Sequence, residues 1–161
     1  MVVTDEMVCF SLYAASRATT QLYRTLLEPW GLTYPQYLVL VALWREGEQT
    51  VSSLGDLLQL DSGTLSPLLR RMEQSGLVVR ARGAQDERVV TVSLGERGTA
   101  LRAELAHLPS RIAEAAGVRE GDAESLIGTL QRVTASMHAA ATSAHVPATT
   151  ESDGAPAATT R

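Results

Sequence analysis

The sequence predicts a mainly α-helical chain with a small β-hairpin set between helical segments. Three observations carry this expectation. Ala and Leu are abundant while aromatic residues make up 4% of the 161 residues, a balance that favours helix. Apolar residues recur at steps of three and four along most of the chain. Between residues 77 and 94 this gives way to alternation on both sides of a Gly-Ala-Gln-Asp turn, which reads as two strands. The length and the 45% hydrophobic content suit one domain of ordinary size with a sizeable core.

Residues 5–28 read as one long helix on a stripe of Cys9, Leu12, Tyr13, Ser16, Thr20, Tyr23 and Leu27, closed by Pro29 and Gly31. In "TYPQYLVLVALW" Thr33 and Gln36 fit a capping box, and Pro35 sits early enough to be tolerated. The almost wholly apolar run that follows must be buried. Two short helical patterns come next, near Ser53–Leu58 and over Ser62–Ser75, with Asp61 as N-cap and Gly76 as the stop of the second. So tight a pair resembles a helix-turn-helix, and the hairpin "LVVRARGAQDERVVTVSL" behind it makes the winged variant. From Glu96 a helical pattern resumes through Leu101, Leu105 and Leu108, with a kink or break at Pro109. A last helix is expected from Glu120 to about His138, with Leu126, Ile127, Leu130, Val133 and Met137 on one face. After Ala139 the composition turns to Ala, Thr, Ser and Pro without periodicity, so a disordered tail is expected.

Composition excludes several classes. Cys9 is the single cysteine, so no disulfide framework holds the chain and a reducing cytosol is the natural compartment. Residues 1–6 contain Asp5 and Glu6 and lack a basic start, and no apolar run approaches the roughly 20 residues of a membrane span. A soluble cytoplasmic protein with no membrane partner is expected. His107, His138 and His145 are scattered, "SLGERGTAL" lacks phosphate-loop spacing, and no Ser, His and Asp arrangement stands out. Neither a metal, nor a cofactor, nor an enzymatic activity is expected.

The net charge of −4 argues against a generally sticky nucleic-acid binder, but the average hides a local excess. Residues 62–92 carry five Arg (70, 71, 80, 82, 88) against three acids (73, 86, 87), a balance of +2. All 14 basic residues of the chain are arginine, so every cationic contact is a guanidinium, which forks onto phosphates or base edges.

The second helix of the pair begins "DSGTLSPLLRR". Ser62, Thr64 and Ser66 can there reach base edges or cap backbone amides, and Arg70 and Arg71 suit phosphates or guanine. Leu65, Leu68, Leu69 and Met72 face the core. On the hairpin, Arg80, Arg82 and Arg88 flank a tip containing Asp86 and Glu87; an arginine there can enter a narrow minor groove, and Asp86 can orient a neighbouring arginine. Solvated charge would account for the arginines of residues 62–92 but not for all of them in that stretch lying on the second helix and the hairpin. Cys9 has two readings, a small hydrophobe packed in a core or a reactive thiolate.

The strings "GLTYPQYLVLVALW", "LDSGTLSPLLRRME" and "DERVVTVSL" resemble the MarR family of winged helix-turn-helix transcription regulators. With the opening "CFSLYAASR", the chain is similar to the organic hydroperoxide resistance regulators of that family, of the one-cysteine type, over about residues 6–138. The resemblance implies a homodimer with an intertwined helical dimerisation region, two winged lobes on double-stranded palindromic operator DNA, and a repressor released when an organic hydroperoxide oxidises an N-terminal cysteine. It places the sensing role on Cys9, its hydrogen-bonding tyrosines on Tyr23 and Tyr34, and the wing arginine on Arg88. The implied regions are a dimerisation and sensor helix over 1–32, a DNA-binding lobe over 33–95, dimerisation helices over 96–139 and the tail over 140–161.

Helix geometry constrains this transfer. Cys9 and Tyr23 share a face but are 14 residues apart, roughly 21 Å along an unbroken helix. If they meet, Tyr23 must come from a second subunit. Some relatives resolve the oxidised cysteine with a second one; this chain has none, so a small thiol, a sulfenamide or over-oxidation must complete the reaction. A low-molecular-weight thiol is thus an expected partner. Two other readings stand beside this one: a regulator answering a small apolar or phenolic ligand with Cys9 structural, and a thiol peroxidase, which the missing second cysteine disfavours.

Overall fold

The computed structural model describes residues 7–83, 89–119 and 121–144. Two compact units divide the chain, Met1–Arg111 and Ile112–Arg161.

In the first unit, helix α1 spans Val8–Leu27, with Met7 in extended conformation as its N-cap. It begins three residues later than the expected start at residue 5, which moves Cys9 into the first turn as the second helical residue. A single 3₁₀ turn, Glu28–Trp30, follows, and Gly31 closes it by donating its N–H to the Glu28 carbonyl at 2.9 Å. Helix α2, Tyr34–Glu46, starts on the expected capping box: the Thr33 N–H donates to Gln36 Oε1 at 2.8 Å. Its apolar run is buried at Tyr37, Val39, Leu40 and Leu43.

The two short helices are α3, Val51–Leu58, and α4, Ser62–Gln74. Thr50 caps α3 by accepting the Ser53 N–H at 3.0 Å, and Asp61 caps α4 through the Thr64 N–H at 2.9 Å. Leu54, Leu65, Leu69 and Met72 are fully buried between them and α2. Gly76, at φ +70, stops α4 in the left-handed conformation that favours glycine.

Strands β2, Val78–Arg82, and β3, Val90–Leu94, form the expected hairpin, with Arg80 opposite Val92. Its tip, residues 84–88, lies outside the described residues, and with it Asp86 and Arg88. A strand absent from the sequence reading, β1 (Gln49–Thr50), pairs antiparallel with β3, so the sheet has three strands in the order β1-β3-β2. Two residues carry no readable alternation, and the pairing exists only because β3 passes beside them.

Helix α5, Glu96–Glu104, packs against α2, β2 and β3. Leu101, Leu105 and Leu108 are buried, as their spacing predicts. The glycines of "SLGERGTAL" are packing residues: a Cβ on Gly95 would strike the Gly76 carbonyl oxygen, and one on Gly98 the Leu77 carbonyl oxygen. Helix α6, Leu108–Ala116, carries Pro109 as its second residue, where a missing N–H costs nothing.

In the second unit, helix α7 spans Ala123–Ala144. It outlasts the expected end at His138 because the Ala-rich stretch 139–144 is itself good helix former, despite its lack of apolar periodicity. Leu126, Ile127, Leu130 and Met137 are exposed. Residues 145–161 lie outside the described residues. No helix among the described residues is long and apolar enough to cross a membrane, and none of them group three or more metal-ligating side chains.

Candidate functional site

Helix α4 presents the predicted division of faces. Leu65, Leu68, Leu69 and Met72 are buried, while Ser62, Thr64, Ser66, Arg70 and Arg71 are exposed. The Thr64 hydroxyl donates to Asp61 Oδ2 at 2.8 Å, so it braces the capping carboxylate and does not itself cap a backbone amide. That bond, with the Thr64 N–H second, holds the Asp61 carboxyl below its usual range. Ser62 and Ser66 carry no such bond among the described residues.

The hairpin arginines separate. Arg82 is exposed at the end of β2, whereas Arg80 is half-buried at mid-strand and faces α4. The Arg80 N–H donates to Glu73 Oε1 at 3.2 Å, and its Nη1 lies 3.8 Å from Glu73 Oε2. Its Nε is buried without a partner among the described residues. Beside it a cleft of about 330 Å³ opens between α3, α4 and the hairpin, lined by Thr50, Val51, Ser52, Ser66, Val89 and Val90 as well as Arg80. Glu73 was not singled out in the sequence; an acid seven residues from Arg80 gives no signal until the strand folds back.

A second constellation lies at the end of α1. Tyr23 stacks on Tyr34 with ring centroids 4.0 Å apart and planes 17° from parallel. Tyr37, unremarked in the sequence, lies behind Tyr23 at 5.6 Å and meets Trp44 edge-on at 6.1 Å. Burial first, then the neighbouring phenols of Tyr34 and Tyr37, push Tyr23 up to about 12. Burial raises Tyr34 and Tyr37 as well. All three therefore keep their protons at neutral pH and can act as hydroxyl donors. Cys9 is exposed, in the first turn of α1, where unpaired backbone N–H groups point toward the helix start. It stands the same 14 residues from Tyr23 on one unbroken helix, so the tyrosine pair and the thiol of one chain do not meet.

Four further hydrogen bonds tie the unit together around α5. Trp44 Nε1 donates to the Gly98 carbonyl at 2.9 Å. Arg97 Nη2 donates to the Trp30 carbonyl at 2.7 Å and its Nη1 to that of Ser75 at 3.4 Å, while Trp30 Nε1 donates to Glu104 Oε2 at 2.7 Å. Arg97 thus joins the turn after α1 to the end of α4.

A helix-turn-helix whose second helix exposes hydroxyls and arginines, backed by an arginine-bearing hairpin, defines a winged-helix DNA-binding regulator. Comparison with known proteins agrees. The family described as transcriptional regulator SarA/Rot matches residues 21–105. The organic hydroperoxide resistance transcriptional regulator of Bacillus subtilis is 47% identical over 108 residues, 67% of this chain and 74% of that protein. The HTH-type transcriptional regulator TtmR of Methylorubrum extorquens is 42% identical over 144 residues, 89% of this chain and 74% of that one. Reduced AbfR bound to DNA superposes with a TM-score of 0.69 at 35% identity, covering 81% of this chain and 91% of that one. The chain belongs to the MarR-like SarA/Rot family of winged-helix transcriptional regulators. Within it the chain is a homologue of the organic hydroperoxide resistance regulators, as its motifs implied.

Proposed function

We propose that this regulator is a homodimeric repressor that senses organic hydroperoxides through Cys9 and releases a palindromic operator to derepress a peroxide-detoxifying gene. The observation that carries it is the separation of Cys9 from its tyrosines. An exposed thiol at one end of α1, and a stacked pair of protonated phenols at the other, complete one site only when two chains bring opposite ends together. Further support comes from the B. subtilis relative named for hydroperoxide resistance, and from AbfR, which has also been solved in disulfide-formed and overoxidised states.

In this reading the Cys9 thiolate attacks the distal peroxide oxygen. The S–O bond forms as the O–O bond breaks, two electrons pass from sulfur, and the alkoxide leaves to take a proton as alcohol, giving Cys9–SOH. Tyr23 and Tyr34 of the second subunit donate hydroxyls to the sulfur. Because the chain has one cysteine, a small thiol then condenses with the sulfenic acid, forming a mixed disulfide and releasing water. Ser62, Ser66, Arg70 and Arg71 meet bases and phosphates, with Arg82 and the hairpin tip, including Asp86 and Arg88, alongside.

The test is a mobility-shift titration with cumene hydroperoxide and with hydrogen peroxide on the wild type and Cys9→Ser, with and without a small thiol. The expected result is full release by cumene hydroperoxide plus thiol, and retained DNA binding without release in Cys9→Ser. Intact-mass detection of a Cys9-linked covalent dimer under mild oxidation overturns the thiol step. A second reading, an apolar or phenolic effector with Cys9 structural, draws on one observation. A cleft of about 220 Å³ lies between Tyr37, Val41 and Trp44 on α2 and Leu105 just after α5, flanked by Arg45 and Arg102. An unchanged peroxide response in Cys9→Ser favours it.

A further inference from the structure

We propose that Glu73 is a positioning residue for DNA reading: it fastens the hairpin to α4 and holds Arg80 beside Ser66, where the guanidinium meets a DNA phosphodiester. The inference rests on the DNA-binding reading above. In the order β1-β3-β2, strand β2 is an edge, with one row of backbone groups unpaired by the sheet. Arg80 is the third of its five residues, and its N–H points out of that edge to Glu73 Oε1. The other carboxylate oxygen faces the guanidinium of the same residue. Main chain and side chain of one strand residue are thus both referred to one carboxylate on the helix expected to read DNA. A hairpin held only by its own strands twists about them. One fixed to α4 at mid-strand keeps its arginines at a set distance from the helix.

The cleft gives this geometry a purpose. Ser66 and Glu73 are seven residues apart, two turns along one face of α4, and Arg80 reaches the wall that Ser66 shares with Ser52 of α3. Hydroxyls beside a guanidinium match a phosphodiester oxygen, and Ser66, which lines the cleft, is exposed. An unassisted carboxylate on a surface facing a polyanion would only repel it. Glu73 is placed to do otherwise, because its charge is spent on Arg80.

Two variants separate positioning from repulsion. Glu73→Gln removes the charge but keeps an oxygen that accepts the Arg80 N–H; Glu73→Asp keeps the charge but is one methylene too short. The probes are a duplex enriched by the wild-type protein from a randomised library, and a mixed-sequence duplex of equal length. The wild-type preference between them tests DNA reading itself. Glu73→Asp is expected to bind the enriched duplex roughly tenfold more weakly, the scale of one hydrogen bond to a charged group, and Glu73→Gln to stay within about twofold of wild type. The slope of log affinity against log salt should not change in either, whereas Arg80→Gln should reduce it by about one. Unchanged affinity in Glu73→Asp, or much tighter binding in Glu73→Gln, overturns the positioning role. An unaltered slope in Arg80→Gln overturns the phosphate contact. Thermal unfolding of each variant shows that the fold persists.

Discussion

Tyr23 ties the aromatic cluster at the end of α1 to a measurable property of the fold. Its phenol titrates at about 12 in the folded chain against about 10 for an ordinary tyrosine, because the folded environment favours the neutral form. A raised folded value contributes stability that is complete below pH 10 and is lost as pH rises toward 12. Thermal unfolding followed across this window should therefore show stability falling, and Tyr23→Phe should flatten that fall and remove the latest step of phenolate absorbance. If the variant follows the wild-type curve, Tyr23 does not titrate in the stacked environment described. The separation of Cys9 from Tyr23 was legible from the sequence by their 14-residue spacing on one helix. Tyr37 was not, because a tyrosine inside an apolar helix gives the same pattern whether it meets a phenol or a leucine.

At the scale of elements, local signals were read well and non-local ones were missed. The Thr33–Gln36 box and the Asp61 cap act within four residues, so their residue types announce them. Strand β1 arises from a partner about 40 residues away, and the Glu73–Arg80 contact from β2 folding back on α4, so residue type alone announces neither. Gly98 belongs to the second kind. Read along the chain it is an unfavourable helix residue; in the fold it is where α5 lies against the Leu77 carbonyl. Gly98→Ala should destabilise the lobe by about 1–3 kcal/mol, the cost of an overpacked contact with backbone. Denaturant unfolding measures this, and an unchanged midpoint would mean that α5 can shift away freely.

For the whole molecule, the uncovered apolar residues set the expected assembly. Met7, Val8, Phe10 and Tyr13 on one terminal segment, and Leu126, Ile127, Leu130 and Met137 on another, are exposed in a single chain. Isolated exposed apolar residues are ordinary, but rows of them along two helices suit burial against a second copy. On the proposed dimer, Ile127→Asp should give a monomer in sedimentation, and reduce operator affinity because one lobe would then bind half of a two-fold site. A monomeric wild type, or a variant that still sediments as a dimer, removes α7 from that interface. The C-terminal face was legible from periodicity, whereas Met7, Val8 and Phe10 lie off the stripe that periodicity draws along α1; which copy covers them is a property no single sequence states.

The guanidinium of Arg97 has a mechanical consequence. By holding the carbonyls of Trp30 and Ser75 at once, with Trp44 fastened to Gly98 alongside, it gives the turn after α1 and the residue that ends α4 one common anchor on α5. The two helix ends therefore share a hinge pin, and Arg97→Ala would leave each to move on its own.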